Sequence, residues 1–185
     1  MTGKPVRESV SEYAQLALPT DANNFGNVLG GTIMHLVDVA GAMAAMRHAR
    51  KPVVTASVDS FQFLHPVHIG HLIILRSSVN RVFRTSIEAG VYVETENLVT
   101  GERVHTCSAY LTFVALDPDG KATAVEPVIP ETGDDQRRYR QAGERREARL
   151  ALRGRMRTEN PDRAPLTSST PTPASPPGTP SAHTA

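Results

Sequence analysis

The chain of 185 residues is poor in several things that would point elsewhere. It has no tryptophan, and aromatic residues make up 5% of it. It has one cysteine, Cys107, so no intramolecular disulfide can form and a reducing cytoplasm is the expected compartment. Charge of either sign is not in excess: 20 Lys+Arg stand against 19 Asp+Glu. That balance gives no reason to expect a nucleic-acid or membrane-surface partner. Long apolar runs are missing too. The longest, Ile33 to Met46, is interrupted by His35 and Asp38 and is too short and polar to span a bilayer. Met1 to Leu18 carries no apolar run of signal-peptide length. There is no phosphate-binding Walker loop, no Gly-x-Ser-x-Gly elbow, no dinucleotide fingerprint and no zinc-spaced Cys/His set. Metal and cofactor chemistry therefore have no signal. Cys107 lies mid-strand among apolar neighbours and reads as an inert core residue.

What is present divides near Pro130. Residues 1–130 show strong apolar periodicity and read as one domain. Residues 131–158 are rich in Arg, Glu, Ala and Gln and could form a solvated helix. Residues 159–185 are dominated by Pro, Ser and Thr and are expected to be disordered.

Within the domain the pattern predicts a strand over Glu12–Leu18 and a loop over Pro19–Gly31. A helix follows over Thr32–His48, then strands over Val54–Phe61, Leu72–Phe83, Ser86–Glu96 and Arg103–Leu116. Ile87, Ala89, Val91 and Val93 share one face of their strand, and Glu88, Tyr92 and Glu94 share the other. Short turns imply antiparallel neighbours. The helix is apolar on nearly every side and needs a wrapping surface, which one curved antiparallel sheet can supply. The expected class is α+β, a helix rolled inside a sheet of about five strands.

The loop and helix carry the chemical candidates. Gly30 and Gly31 sit at the helix entry, where free amides and the positive dipole end suit an oxygen that becomes negative under attack. Asp38 interrupts the apolar helix, and a buried carboxylate costs several kcal/mol unless paired, so a chain that keeps one tends to use it. Spacing alone leaves Asp38 equally open to a structural role, tied to a backbone amide or to His35 one turn earlier. Read singly, Asn23, Asn24 and Asn27 are turn residues, and the glycine pair a tight helix entry.

The stretch Asp21-Ala22-Asn23, Gly26-Asn27-Val28, Gly30-Gly31 and Asp38 resembles the signature of the hotdog-fold acyl-CoA hydrolases, the group of the bacterial YciA-type enzymes and the brain acyl-CoA hydrolase. The resemblance continues through Phe63-Leu64-His65-Pro66-Val67-His68-Ile69-Gly70 and Glu96-Asn97-Leu98-Val99-Thr100-Gly101. It implies a hotdog fold, two units forming a double hotdog, and dimers that commonly assemble into hexamers. It implies hydrolysis of fatty acyl-CoA to free fatty acid and CoA, with no cofactor and no metal. Asp38 would be the base or nucleophile, Asn23 of the facing unit would orient water or the thioester, and the Gly31 amide would be an oxyanion donor. Gly30, Arg84, Thr85 and Ser86 would contact the substrate or its CoA part, with Arg81 a rival to Arg84. Two other readings stay open on sequence: an acyl-CoA-binding or regulatory module without turnover, and an acyl-CoA hydratase or dehydratase in which His35 works beside Asp38.

Overall fold

The computed structural model describes residues 3–159, with side chains described to residue 156. Residues 3–150 form one unit, and the described residues 151–159 belong to a second. The expected disorder of residues 159–185 falls outside the described residues, apart from Glu159, which ends a helix.

The elements are β1 (Lys4–Pro5), β2 (Ser11–Leu16), α1 (Gly30–Ala49), β3 (Val53–Phe63), β4 (Leu72–Phe83), β5 (Ser86–Glu96), β6 (Arg103–Ala115), β7 (Val128–Ile129) and α2 (Gly133–Glu159). Five strands make one sheet in the order β2-β4-β5-β6-β3, antiparallel throughout. The long hairpins follow from runs of β-branched residues that alternate in and out. Ile87, Ala89, Val91 and Val93 all face the core, and all are at most 2% exposed. Phe113 from β6 and Val91 close against Gly41 of α1, where a Cβ would lie 3.0 Å from the Phe113 ring. That glycine lets α1 sit close to the sheet.

Three expectations need correction. The helix begins at Gly30 rather than Thr32, so both glycines are inside its first turn. Leu29, its N-cap, is extended and supplies no side-chain cap, so no capping residue marked the start. Nor is α1 buried almost all round. Ile33, Leu36, Val37, Ala40, Ala44 and Ala45 are buried, but Gly31, Met34, His35, Met46 and Arg47 are exposed and Asp38 is only half-buried. A single sheet covers one side of a helix, and the rest stays open in a single chain.

The charged helix α2 is also not simply solvated. Over its first half it lies on the outer face of the sheet, where Ala142 is fully buried. Arginines attach it. Arg145 donates to both oxygens of Glu88, at 3.2 and 2.6 Å, and sits 3.7 Å over the Tyr110 ring. Arg149 pairs with Asp59. Arg81 lies between the Phe83 and Tyr139 rings. Glu88, assigned by alternation to the polar face, is therefore fully buried.

Candidate active site

The loop before α1 is shaped by its own polar side chains. The Asp21 carboxylate accepts from the Leu18 amide at 2.9 Å, and the Leu29 amide donates to the Asp21 carbonyl at 2.8 Å. Asn23 Oδ1 accepts from the amides of Phe25 (2.8 Å) and Asn27 (3.2 Å). This is an Asx turn, and Gly26 follows it at φ 78°. The turn-forming role considered for Asn23 is thus real, but it uses only the oxygen. The NH2 group has no partner among the described residues.

Asn23, Gly30, Ile33, Phe63, Leu64 and His65 line a cavity of about 360 Å³ at the helix entry. A Cβ on Gly30 would come within 3.3 Å of the Phe63 ring, so the glycine holds this wall open. The amides of Gly30 and Gly31 have no carbonyl behind them in the helix. Around Gly31 a Cβ would meet nothing nearer than Leu29, at 3.9 Å, so its backbone is accessible.

Asp38 stands two turns further along α1, on the half-open side. Thr55 of β3 donates its hydroxyl to Asp38 Oδ1 at 2.6 Å. The carboxylate is therefore not tied to His35 or to a backbone amide. Thr55 was invisible to sequence reasoning, because a threonine in an alternating strand looks like any other β-former. One carboxylate oxygen is anchored and Oδ2 has no hydrogen bond among the described residues.

One chain does not bring all the candidates together. Asp38 is not among the residues lining the cavity that holds Asn23 and Gly30. Arg84 and Thr85 form the β4–β5 turn, and Ser86 opens β5. Ser86 lies opposite Val114, and Val114 opposite Val54, so this turn marks the end of the sheet near Thr55, away from Phe63. Arg84 is exposed at φ 52°, its carbonyl accepting from the Val125 amide at 2.8 Å. The Thr85 carbonyl accepts from the Ala115 amide at 3.1 Å, and Ser86 Oγ donates to the Phe83 carbonyl at 3.4 Å. Arg81, the rival to Arg84, is engaged with Tyr139 on α2.

Cys107 is fully buried, and burial pushes its thiol up to about 12, so it cannot serve as a nucleophile. No group of three or more His, Cys, Asp or Glu side chains among the described residues could hold a metal ion. Among the same residues no helix is long and apolar enough to cross a membrane.

Residues 25–102 match the model of the thioesterase superfamily. The uncharacterized acyl-CoA thioester hydrolase YkhA of Bacillus subtilis is 40% identical over 129 residues, which is 70% of this chain and 75% of that one. Mouse acyl-coenzyme A thioesterase 11 is 34% identical over 147 residues, 79% of this chain but only 25% of that longer protein. Among solved structures, an apo-hexameric acyl-CoA thioesterase superposes with a TM-score of 0.79 at 38% identity, covering 82% of this chain and 97% of the other. The acyl-CoA hydrolase of Staphylococcus aureus, solved with butyryl-CoA, CoA and CoA disulfide, superposes with a TM-score of 0.79 at 33% identity, covering 85% and 96%. That enzyme has also been solved as three alanine variants, at an asparagine, an aspartate and a threonine.

Proposed function

The chain belongs to the acyl-CoA thioester hydrolases of the thioesterase superfamily, and on that premise we propose how its residues divide the work. The activity is hydrolysis of an acyl-CoA thioester to a carboxylic acid and CoA. Readings as a binder without turnover or as a hydratase give way to it, and His35 makes no hydrogen bond to Asp38 that a hydratase pair would need.

Asp38 takes the proton of the attacking water through its unanchored oxygen, while Thr55 holds the other. The water oxygen bonds to the thioester carbon. The carbonyl oxygen becomes negative and is met by the Gly31 amide at the positive end of α1. The C–S bond then breaks, and the proton held by Asp38 passes to the departing sulfur. Asn23 contributes its free NH2 to orient water or thioester. Gly30 keeps the entry open, and Arg84, Thr85 and Ser86 meet the CoA part.

The observation that carries this reading is the Thr55–Asp38 hydrogen bond on an accessible side of α1. Spacing supports it. In the S. aureus enzyme the substituted asparagine and aspartate are 15 residues apart, and the aspartate and threonine 17. Asn23, Asp38 and Thr55 stand at the same intervals here.

Asn23 and Asp38 meet only if a second copy faces the first, so the working unit is a dimer, within a hexamer like that of the structural relative. The open edge of β3 and exposed Met34, Val54, Val58, Phe63 and Leu64 supply an apolar surface for that pairing. The cytoplasm is the compartment that fits the unpaired cysteine.

The test is free-thiol release from a series of acyl-CoA chain lengths, wild type beside Asp38→Asn. A neutral amide takes no proton, so the variant should fold as wild type and lose nearly all turnover. A folded Asp38→Asn protein with normal thiol release would refute the assignment.

A further inference from the structure

The outer face of the sheet holds a second, partly open cavity, between β4, β5, β6 and the start of α2. It measures about 170 Å³ and is lined by Arg76, Asn80, Tyr92, Tyr110, Arg137 and Arg138, among others. Gly90 makes its floor. A Cβ there would come within 3.0–3.2 Å of the Asn80 amide group, so only a glycine leaves the space intact.

Asn80 is the informative residue. It occupies an irregularity in β4, where the pairing with β5 skips between Val79 and Arg81. It is 2% exposed. Its Nδ2 donates to Glu88 Oε1 at 3.0 Å, and Glu88 is itself gripped by Arg145. The amide orientation is thereby fixed, since a carboxylate facing guanidinium only accepts. Asn80 Oδ1 is left buried with no partner. A bare buried acceptor is costly and is normally met by something. The occupant must therefore donate one hydrogen bond to Asn80.

The rest of the wall asks for acceptors. Arg76 uses Nε toward Glu12 and Nη1 toward Glu94, and Arg138 uses Nη1 toward Ser78 and Nη2 toward Asp134. Each guanidinium has five N–H donors, so donors remain on both. The volume equals the share of about six waters, room for a phosphate and a few waters. One O–H with several anionic oxygens is the description of monohydrogen phosphate. Sulfate has the same shape and charge but no O–H. A phosphate monoester dianion, as on CoA, also lacks it.

We propose that this cavity binds free monohydrogen phosphate, which joins the outer sheet face to α2 at a place distinct from the acyl-CoA site. The proposal does not rest on the assigned activity. It is tested by titration calorimetry on the full chain with inorganic phosphate and with sulfate, at matched ionic strength and about pH 7.5, where the phosphate dianion dominates. Phosphate should bind at one per chain, and sulfate at least about tenfold more weakly, because it leaves Asn80 unpaired. Saturation with CoA should leave the phosphate isotherm unchanged. Arg138→Gln, at the surface end of the cavity, should weaken phosphate about tenfold with the melting temperature kept. Gly90→Ala should abolish binding by filling the floor, and if it misfolds Arg138→Gln decides alone. Equal affinity for phosphate and sulfate, no phosphate binding, or displacement by CoA would each overturn the proposal.

Discussion

Replacing Thr55 by valine removes a single hydroxyl from the proposed machinery and keeps the branched shape that suits β3. The lost bond is short, 2.6 Å from Thr55 Oγ1 to Asp38 Oδ1, in the range of an O–H donor on a carboxylate. Hydrogen bonds to charged groups contribute about 1.5–3 kcal/mol. Asp38 is only half-buried, so water can replace part of the loss and the lower end applies. About 1.5 kcal/mol corresponds to roughly tenfold in rate. The effect should fall on kcat, because Thr55 aims the base and need not touch the CoA part. KM should stay within about twofold, and the melting temperature should hardly move, since Thr55 is exposed in the chain. Thr55→Ser restores the donor and should recover most of kcat. The assay is initial-rate thiol release with kcat and KM separated, beside thermal unfolding of each variant. The reasoning fails if Thr55→Val turns over at the wild-type kcat, or if Thr55→Ser is as slow as the valine variant.

Two further predictions concern stability. His48 is fully buried, and its Nε2–H donates to the Glu126 carbonyl at 2.9 Å while Nδ1 has no partner. Burial lowers its proton affinity below the usual histidine range. The unfolded chain then binds the proton more readily, so stability is intact above about pH 6.5 and falls as pH drops below it. Melting temperatures at neutral and mildly acid pH should diverge, and His48→Gln should narrow that gap; an unchanged gap would assign the acid loss elsewhere. Arg145→Ala leaves Glu88 buried and unpaired, which costs roughly 3 kcal/mol by the behaviour of broken buried pairs. Denaturant unfolding should show that loss, and the partial return expected from Glu88→Leu added to Arg145→Met would identify the stranded charge as its cause. A loss under about 0.5 kcal/mol, the scale of an ordinary surface change, would mean that α2 is not held by this pair.

The strands and the central helix were legible because each reports its own period. Ile87, Ala89, Val91 and Val93 are core residues by alternation alone, and they are core residues in the fold. What escaped reading depends on segments distant in sequence. Glu88 follows the alternation onto the polar face but is buried, because arginines of α2 more than fifty residues later close over it. The partners open to Asp38 on sequence were a backbone amide and His35, yet the hydrogen bond comes from Thr55, 17 residues away on another element. Asn80 sits at an irregularity in pairing, and no local pattern in the sequence announces one.

The open side of α1 ties these points to the site. Read alone, a helix apolar on every side demands burial on every side, and the sheet covers only half of it. Met34, Val58 and Phe63 remain 46–47% exposed, beside the half-buried Asp38. Asn23 and Gly30 share a cavity at the helix entry while Asp38 and Thr55 stand apart from it. A second copy laid along the edge of β3 answers both facts at once. In the dimer proposed above, that copy would cover the apolar side of the helix and offer its own Asn23 to the first chain's Asp38. On that proposal, the apolar periodicity of α1 and the separation of Asn23 from Asp38 would be two consequences of one arrangement, in which each chain supplies half of each of two sites.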